Sequence, residues 1–363
     1  MVGMDEHMFE GSLVVTGGGT GGHYFPAVAL AEGAQARWPG RPVAFVGAQR
    51  GIEGRLLPQS VWPHLLLDVE GFVGRSPWRI LRAALKLARA RARLKAIWAR
   101  SRPWAVLATG GYGSAPGLLA ARALGIPYFL HESNAQPGQL VRLLAPGAAG
   151  VWCGMDAVRA HLPKARCVSA GTPVRAAFLR GFRPLEGLQP PHRLLVLGGS
   201  GGARALNAAL LAVAPALLDR FPQWDILHQT GPAGYQALAE ANRHPRHRVA
   251  AFLDGMDREL EAASLVLTRS GASTCAELKA CGRPALMVPM PNSAGNHQVM
   301  NAQAMVAEGR ALLLPQGPGL AAELQAGAAR LMADPALLAQ LSRPEANRAV
   351  ALCLDDLAAC MKA

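Results

Sequence analysis

Leu13-Val14-Val15-Thr16-Gly17-Gly18-Gly19-Thr20-Gly21-Gly22-His23 is the stretch on which the fold turns. A short apolar run of strand type meets a glycine turn, and an apolar helical segment follows from about Pro26 to Ala36. The same order recurs. Leu194-Leu195-Val196-Leu197 meets Gly198-Gly199-Ser200-Gly201-Gly202, and a helical segment follows from about Ala203 to Leu218. Strand, glycine turn and helix open a doubly wound α/β unit, so two openings predict two such domains.

Working outward, short strand-like runs alternate with helical stretches: Val43–Val46, Ala105–Ala108, Tyr128–Leu130, Ile226–His228, Leu265–Thr268 and Ala285–Val288. That alternation predicts parallel sheets in an α/β fold. The Pro-rich stretch from Gly171 to His192 reads as the linker. The expected division is a first domain at 1–175, a second at 176–340, and a helical tail at 341–363 that can pack back on the first.

The 363 residues suit two domains, and 51% hydrophobic against 17% charged content is that of a globular chain. The net charge is +13 and unevenly placed. Residues 1–175 hold 20 Lys/Arg against nine Asp/Glu, a balance of +11, and the remainder is only +2. An anionic partner is therefore expected on the first half: a membrane, a phosphorylated substrate or a nucleic acid. None of the six cysteines has zinc-type spacing, so they read as free thiols in a reducing compartment. Met1 to Gly11 lacks the apolar run of a signal peptide. The uncharged stretch Pro103–Ala121 is broken by four glycines and Pro116, which suits strand, turn and helix better than a membrane span. Those readings predict a cytoplasmic chain.

A glycine turn at a helix start suits phosphate, because bare backbone N–H groups can approach the oxygens and the helix dipole favours negative charge. It equally suits plain strand–helix packing. Neither turn fits Gly-x4-Gly-Lys-Ser/Thr, which argues against a P-loop nucleotidase. His23 can be a general base, a donor to a diphosphate, or a capping or core histidine. Glu132, in His131-Glu132-Ser133-Asn134, is the only acid between Glu70 and Asp156. It stands where α/β strands meet ligands, or in a surface ion pair. Asn134 offers both donor and acceptor to a sugar. Arg269 to Glu277 reads as a loop opening another helix, with small residues and hydroxyls for a phosphate and Glu277 for a ribose diol, or as an ordinary helix start. Asn292 to Gln298 is an amide-rich loop that suits sugar hydroxyls or a plain turn.

Phe72–Pro103 carries ten Lys/Arg and no acid. In helical register Leu81, Leu85, Ala88 and Ala92 share one face, and Ile80, Leu87, Leu94 and Trp98 line roughly the opposite one. One face can pack on the sheet while the other meets a membrane interface. A solvated helix is the plainer alternative. RNA binding is a third, without any nucleic-acid module in the sequence.

Seven ordered motifs resemble the MurG family of peptidoglycan glycosyltransferases (family 28, GT-B fold): GGGTGGHYFPAVALA (17–31), ATGGYGSAPGLLAA (108–121), HESNAQPG (131–138), AGTPVR (170–175), LGGSGGARALN (197–207), RSGASTCAEL (269–278) and HQVMNA (297–302). The resemblance spans roughly residues 12–315. Gly295-Asn296 stand where relatives often carry an acid before the His-Gln pair, and Ser133 where a Gln is common. It implies two Rossmann-like domains facing across a cleft, and inverting transfer of GlcNAc from UDP-GlcNAc to the C4 hydroxyl of MurNAc in undecaprenyl-diphospho-MurNAc-pentapeptide (lipid I), giving lipid II. No cofactor or metal is implied. Donor contacts implied are Thr20, Gly21, Gly22, Asn134, Arg175, Ser200, Leu253, Ala272, Ser273, Thr274, Cys275, Ala276, Glu277 and Gln298. Acceptor contacts implied are Gly18, Gly19, Thr20, His23 and Tyr112. Such enzymes work peripherally on the cytoplasmic face of the inner membrane, and Trp78, Arg79, Arg82 and Lys86 are the expected docking residues. Cell-wall synthesis enzymes are candidate protein partners; nucleic acid is not.

The expected chemistry is direct displacement, with His23 as base and Glu132 as its orienting partner or as the alternative base. Rivals are a UDP-GlcNAc 2-epimerase or glycolipid synthase of the same fold, a non-catalytic membrane or nucleic-acid binder, and a dehydrogenase. The last lacks the ribose-binding acid, since its second strand runs into Gly47-Ala48-Gln49-Arg50.

Overall fold

The computed structural model describes residues 6–71, 76–185, 189–199, 201–291, 293 and 296–362. Ser200, Phe72 to Arg75, Asn292, Ala294 and Gly295, all singled out above, lie outside the described residues. The chain divides into two compact units, Met1–Ala176 with Asn347–Ala363, and Ala177–Ala346.

The first unit is built on β1 (Leu13–Thr16), β2 (Val43–Ala48), β3 (His64–Leu67), β4 (Ala105–Ala108), β5 (Tyr128–Glu132), β6 (Gly150–Cys153) and β7 (Cys167–Ser169). They form one parallel sheet in the order β3-β2-β1-β4-β5-β6-β7. β1 takes Val43 to Val46 on one side and Ala105 to Ala108 on the other. Helices α1 (Gly21–Arg37), α2 (Ile52–Leu56), α3 (Pro77–Arg100), α4 (Ala115–Leu124) and α5 (Gln139–Leu144) connect them. β1, β2, β4, β5 and β6 are buried throughout, which is why they read as unbroken apolar runs rather than alternating ones.

The second unit repeats the plan with β8 (His192–Leu197), β9 (Trp224–Gln229), β10 (His247–Ala250), β11 (Leu265–Thr268), β12 (Ala285–Met287) and β13 (Ala311–Leu313). The parallel order is β10-β9-β8-β11-β12-β13. Its helices are α6 (Arg204–Arg220), α7 (Pro232–Ala241), α8 (Met256–Ala262), α9 (Ala272–Cys281), α10 (His297–Ala307), α11 (Leu320–Ala333) and α12 (Pro335–Leu341). Both sheets are of the Rossmann-like type expected. In each, the order reverses beside the first strand, between β1 and β4 and between β8 and β11, and that switch point is where such sheets bind ligands.

Two details differ from expectation. Helix α1 begins at Gly21, five residues before Pro26, so Pro26 lies inside the helix and not at its start. The tail does not change units at residue 341. Ser342 Oγ donates to Gly282 O and Glu345 N to Lys279 O, so 342–346 stay with the second unit. The last helix, α13 (Ala349–Lys362), lies in the first unit and buries Cys353, Leu354 and Leu357 in the same core as Ala27, Leu30 and Ala31 of α1. Asp356 fixes it there by accepting from Trp152 Nε1 (2.9 Å) and from both Arg166 guanidinium nitrogens (2.7 Å each).

Candidate active site

In the first unit the candidate residues gather at the C-terminal ends of the neighbouring strands β1, β4 and β5. The β1–α1 turn ends at Thr20, whose side chain makes no capping bond to α1. His23 N and Tyr24 N both donate to Thr20 O (3.2 and 3.1 Å), which closes the first turn of α1. Thr20 and Gly22 are exposed, Gly21 half-buried.

His23 follows in the first turn, half-buried. Its Nδ1 lies 2.8 Å from Thr109 O, at the end of β4, and Thr109 Oγ1 returns a 2.6 Å bond to His23 O. A carbonyl only accepts, so Nδ1 carries a proton, and in the neutral ring the lone pair is on Nε2. The ring lies against Gly110, where a methyl group would come within 3.0 Å of it.

Two expected acceptor contacts have their N–H groups turned inward. Gly18 N donates to Gly110 O (3.3 Å), and Gly19 N to both oxygens of Glu53 (3.0 and 2.8 Å). They shape the turn from within. Tyr112 packs its ring over Gly19. Burial, with the charge of Glu53 adding and that of Arg175 opposing, pushes the Tyr24 hydroxyl up to about 12.

Glu132 is buried at the end of β5, and its carboxylate folds back on its own loop. Oε1 accepts from Asn134 N and Nδ2 (3.0 Å each), Oε2 from Gly138 N (2.9 Å). These bonds fit a loop clamp. Beside it, buried His131 donates from Nε2 to Gly171 O (2.9 Å), and burial holds its pKa low, so it stays neutral. His131 thereby ties β5 to the segment leading to Arg175, whose guanidinium carbon lies 4.3 Å from the Phe25 ring centre.

In the second unit the corresponding edge carries the 198–202 turn after β8, Gln229 at the end of β9, the start of α9 after β11, and 288–298 after β12. Gly202, at φ +78°, is forced: a Cβ there would lie 2.0 Å from Thr230 O. Gln229, missed in the sequence, joins two candidate elements. Its Nε2 donates to Gly199 O (3.1 Å) and its Oε1 accepts from Leu253 N (3.3 Å). Asn207 Nδ2 donates to Thr230 O, so its Oδ1 faces His228 Nε2 at 3.0 Å. His228 Nδ1 then accepts from His247 Nε2 at 3.3 Å. Burial, with the neighbouring imidazoles adding, pushes His228 down to about 3 and His247 to about 4.

Of the expected donor loop, Ala272, Thr274, Ala276 and Glu277 are half-buried at the start of α9, and Ser273 is buried. Cys275 does not fit a ligand contact. Its side chain is buried, its N–H bonds Gly271 O, and burial raises its thiol to about 12. Gln298 accepts at Oε1 from Met290 N (2.9 Å), and its carbonyl from Ser270 Oγ (2.7 Å). Arg269 holds the same loop through Val288 O and Pro289 O.

On α3 the face of Leu81, Leu85, Ala88 and Ala92 is exposed, and Trp78 is 75% exposed beside it. The buried face is Ala83, Ala90, Leu94, Ile97 and Trp98, while Ile80, grouped with Leu94 and Trp98 by the sequence, is exposed. Arg79 and Arg82 are exposed. Lys86 is not available for docking: its Nζ is held by Asp68 (2.8 Å) and Glu70 (2.5 Å), acids distant in sequence that follow β3. No helix of the described residues is long and apolar enough to cross a membrane.

Comparison with known proteins agrees with this fold. Residues 13–152 match the glycosyltransferase family 28 N-terminal domain, and 193–354 the family's C-terminal domain. A UDP-N-acetylglucosamine--N-acetylmuramyl-(pentapeptide) pyrophosphoryl-undecaprenol N-acetylglucosamine transferase from Syntrophotalea carbinolica is 42% identical over 307 residues, covering 84% of this chain and 85% of its own. One of the same name from Citrifermentans bemidjiense is 36% identical over 339 residues, 91% of this chain and 93% of its own. The crystal structure of Acinetobacter baumannii MurG superposes with a TM-score of 0.64 at 30% identity, covering 94% and 98% of the two chains. A Listeria monocytogenes structure titled as a putative UDP-N-acetylglucosamine 2-epimerase shares the fold, with a TM-score of 0.68 at 15% identity and 95% of each chain covered. With both domain models matched and relatives this similar along most of its length, the chain belongs to glycosyltransferase family 28.

Proposed function

We propose that this chain transfers GlcNAc from UDP-GlcNAc to the C4 hydroxyl of MurNAc in lipid I, with inversion, yielding lipid II and UDP. The names of its relatives support the substrates. The observation that carries the mechanism is the bond from His23 Nδ1 to Thr109 O, which leaves Nε2 as a basic nitrogen at the mouth of the first glycine turn. Nε2 takes the proton of the C4 hydroxyl, the oxygen attacks the anomeric carbon, and the bond from that carbon to UDP breaks with its electron pair leaving on the diphosphate. Glu132 holds its loop and Asn134 in place, a positioning role, because its oxygens already accept three N–H bonds. The first unit takes the acceptor and the second the donor. Arg175 is the first-unit residue expected to meet the charge growing on the diphosphate.

The deciding experiment mixes pure protein with UDP-GlcNAc and lipid I and follows UDP and lipid II. Release of an epimerised UDP-sugar without acceptor would point to the epimerase instead, and no turnover to a binding protein.

The outward strip of Trp78, Leu81 and Leu85 among Arg79 and Arg82 supports peripheral docking on an anionic membrane, at the cytoplasmic face. Vesicle binding should need anionic lipid and weaken with salt. Binding that ignores both salt and Arg79→Ala/Arg82→Ala would discard this surface.

A further inference from the structure

We infer that Glu53 is a positioning residue for the acceptor step, one buried carboxylate that fixes the loop carrying His23. Glu53 stands at the second position of α2 and is 0% exposed. Its two oxygens accept from Gly19 N, and Oε1 also accepts from Ala48 N (3.0 Å). Three loops close on it. A Cβ added at Gly18, in the β1–α1 turn, would lie 2.1 Å from the carboxylate. One at Gly51, before α2, would lie 2.2 Å away, and one at Gly113, after β4, 2.9 Å away. Glycine at these positions is what lets the carboxylate reach the backbone.

The consequence runs through Gly19. With its N–H drawn inward, the backbone leaves the turn at φ +88° with Tyr112 packed over it, and α1 starts two residues later with His23 in its first turn. The position of Nε2 therefore depends on a bond made four residues earlier to a side chain from another loop. Glu53 is wholly buried with its carboxylate on backbone N–H groups, so its effect is on placement. A one-ångström error in a base is enough to cost substantial rate.

The inference rests on the proposed transferase reading. Its test is Glu53→Gln, which keeps the shape but sets an NH2 donor against backbone N–H donors. We expect kcat/KM for lipid I to fall about 10–100-fold, the range expected when a hydrogen bond to a charged group is lost. KM for UDP-GlcNAc should change less than kcat/KM for lipid I, since most of the expected donor contacts belong to the other unit. Amide exchange should quicken in the segment 13–25 and not in 226–250. Gly18→Ala, which pushes a methyl group onto the same carboxylate, is the second variant should Glu53→Gln fail to fold, and is judged by the same readouts. An unchanged kcat/KM for lipid I with unchanged exchange overturns the inference. So does an equal loss for both substrates accompanied by a lower melting temperature, the mark of a purely structural residue. Parent protein that makes no lipid II would sink the function instead. Exchange alone would then judge the brace: quickening confined to 13–25 upholds it, and none overturns it.

Discussion

The two glycine turns look alike in sequence and are held by opposite chemistry. The first, after β1, is anchored by a buried carboxylate and crossed by the reciprocal bonds of His23 and Thr109. The second, after β8, is anchored by a neutral amide, Gln229, beside the uncharged chain Asn207–His228–His247. A turn that presents a base needs that base set in orientation and tautomer, and the first turn supplies both. A turn that receives a diphosphate is better without a carboxylate beneath it, and Gln229 supplies rigidity without charge. On the proposed function, the same local motif serves proton transfer in one unit and anion binding in the other.

The sharpest way to break this comparison is His23→Ala. If only the first turn carries a base, turnover should fall about 10²–10⁴-fold, with KM for UDP-GlcNAc little changed. Steady-state UDP release checks this, and near-normal turnover by a folded variant would take His23 out of the mechanism. The next effect is smaller and falls on the other substrate. Gln229→Leu strands Gly199 O and Leu253 N, so KM for UDP-GlcNAc should rise about tenfold while kcat/KM for lipid I at saturating donor holds. A rise in the lipid I term instead would mean that the two turns are not divided by substrate.

The fold was legible because its signal is local. Each opening strand is a buried apolar run, and each glycine turn is required where the chain doubles back. The seven motifs likewise named most of the residues now found at the strand ends. What escaped the sequence is contact between distant segments. Glu53 stands alone in Gly51-Ile52-Glu53-Gly54 with no period to mark it. The glycines around it were the only hint, and a dehydrogenase reading looked for its acid at the strand end, three to six residues earlier. Lys86 reads as one more cation on a basic helix, until β3 brings Asp68 and Glu70 against it. Helix α13 has an ordinary Ala/Leu pattern, and only the face it buries against α1 shows to which unit it belongs. Gln229 ends a strand, where its side chain could not be assigned to either neighbour.

The smallest effect tests the neutrality of the second turn's support. His228 and His247 titrate at about 3 and about 4 in the fold, below the ordinary 6.5 of an unfolded histidine. Above about pH 6.5 both states are neutral and the second unit keeps its full stability. As pH falls from there towards 4 and then 3, the unfolded chain takes up protons that the folded pair refuses, and stability is lost. Each histidine contributes a slope of about 1.4 kcal/mol per pH unit in that window. Amide exchange of residues 224–250 between pH 7 and 4 should therefore quicken beyond its intrinsic pH dependence, while that of 105–132 should not share this term in full, since only His131 is similarly buried there. His247→Gln keeps a donor for His228 Nδ1 and removes one titrating group, so the slope should fall by about half, with activity at neutral pH unchanged. An unaltered slope would mean that the imidazoles are not the groups excluded from protonation, and that the second turn is not held by an uncharged network.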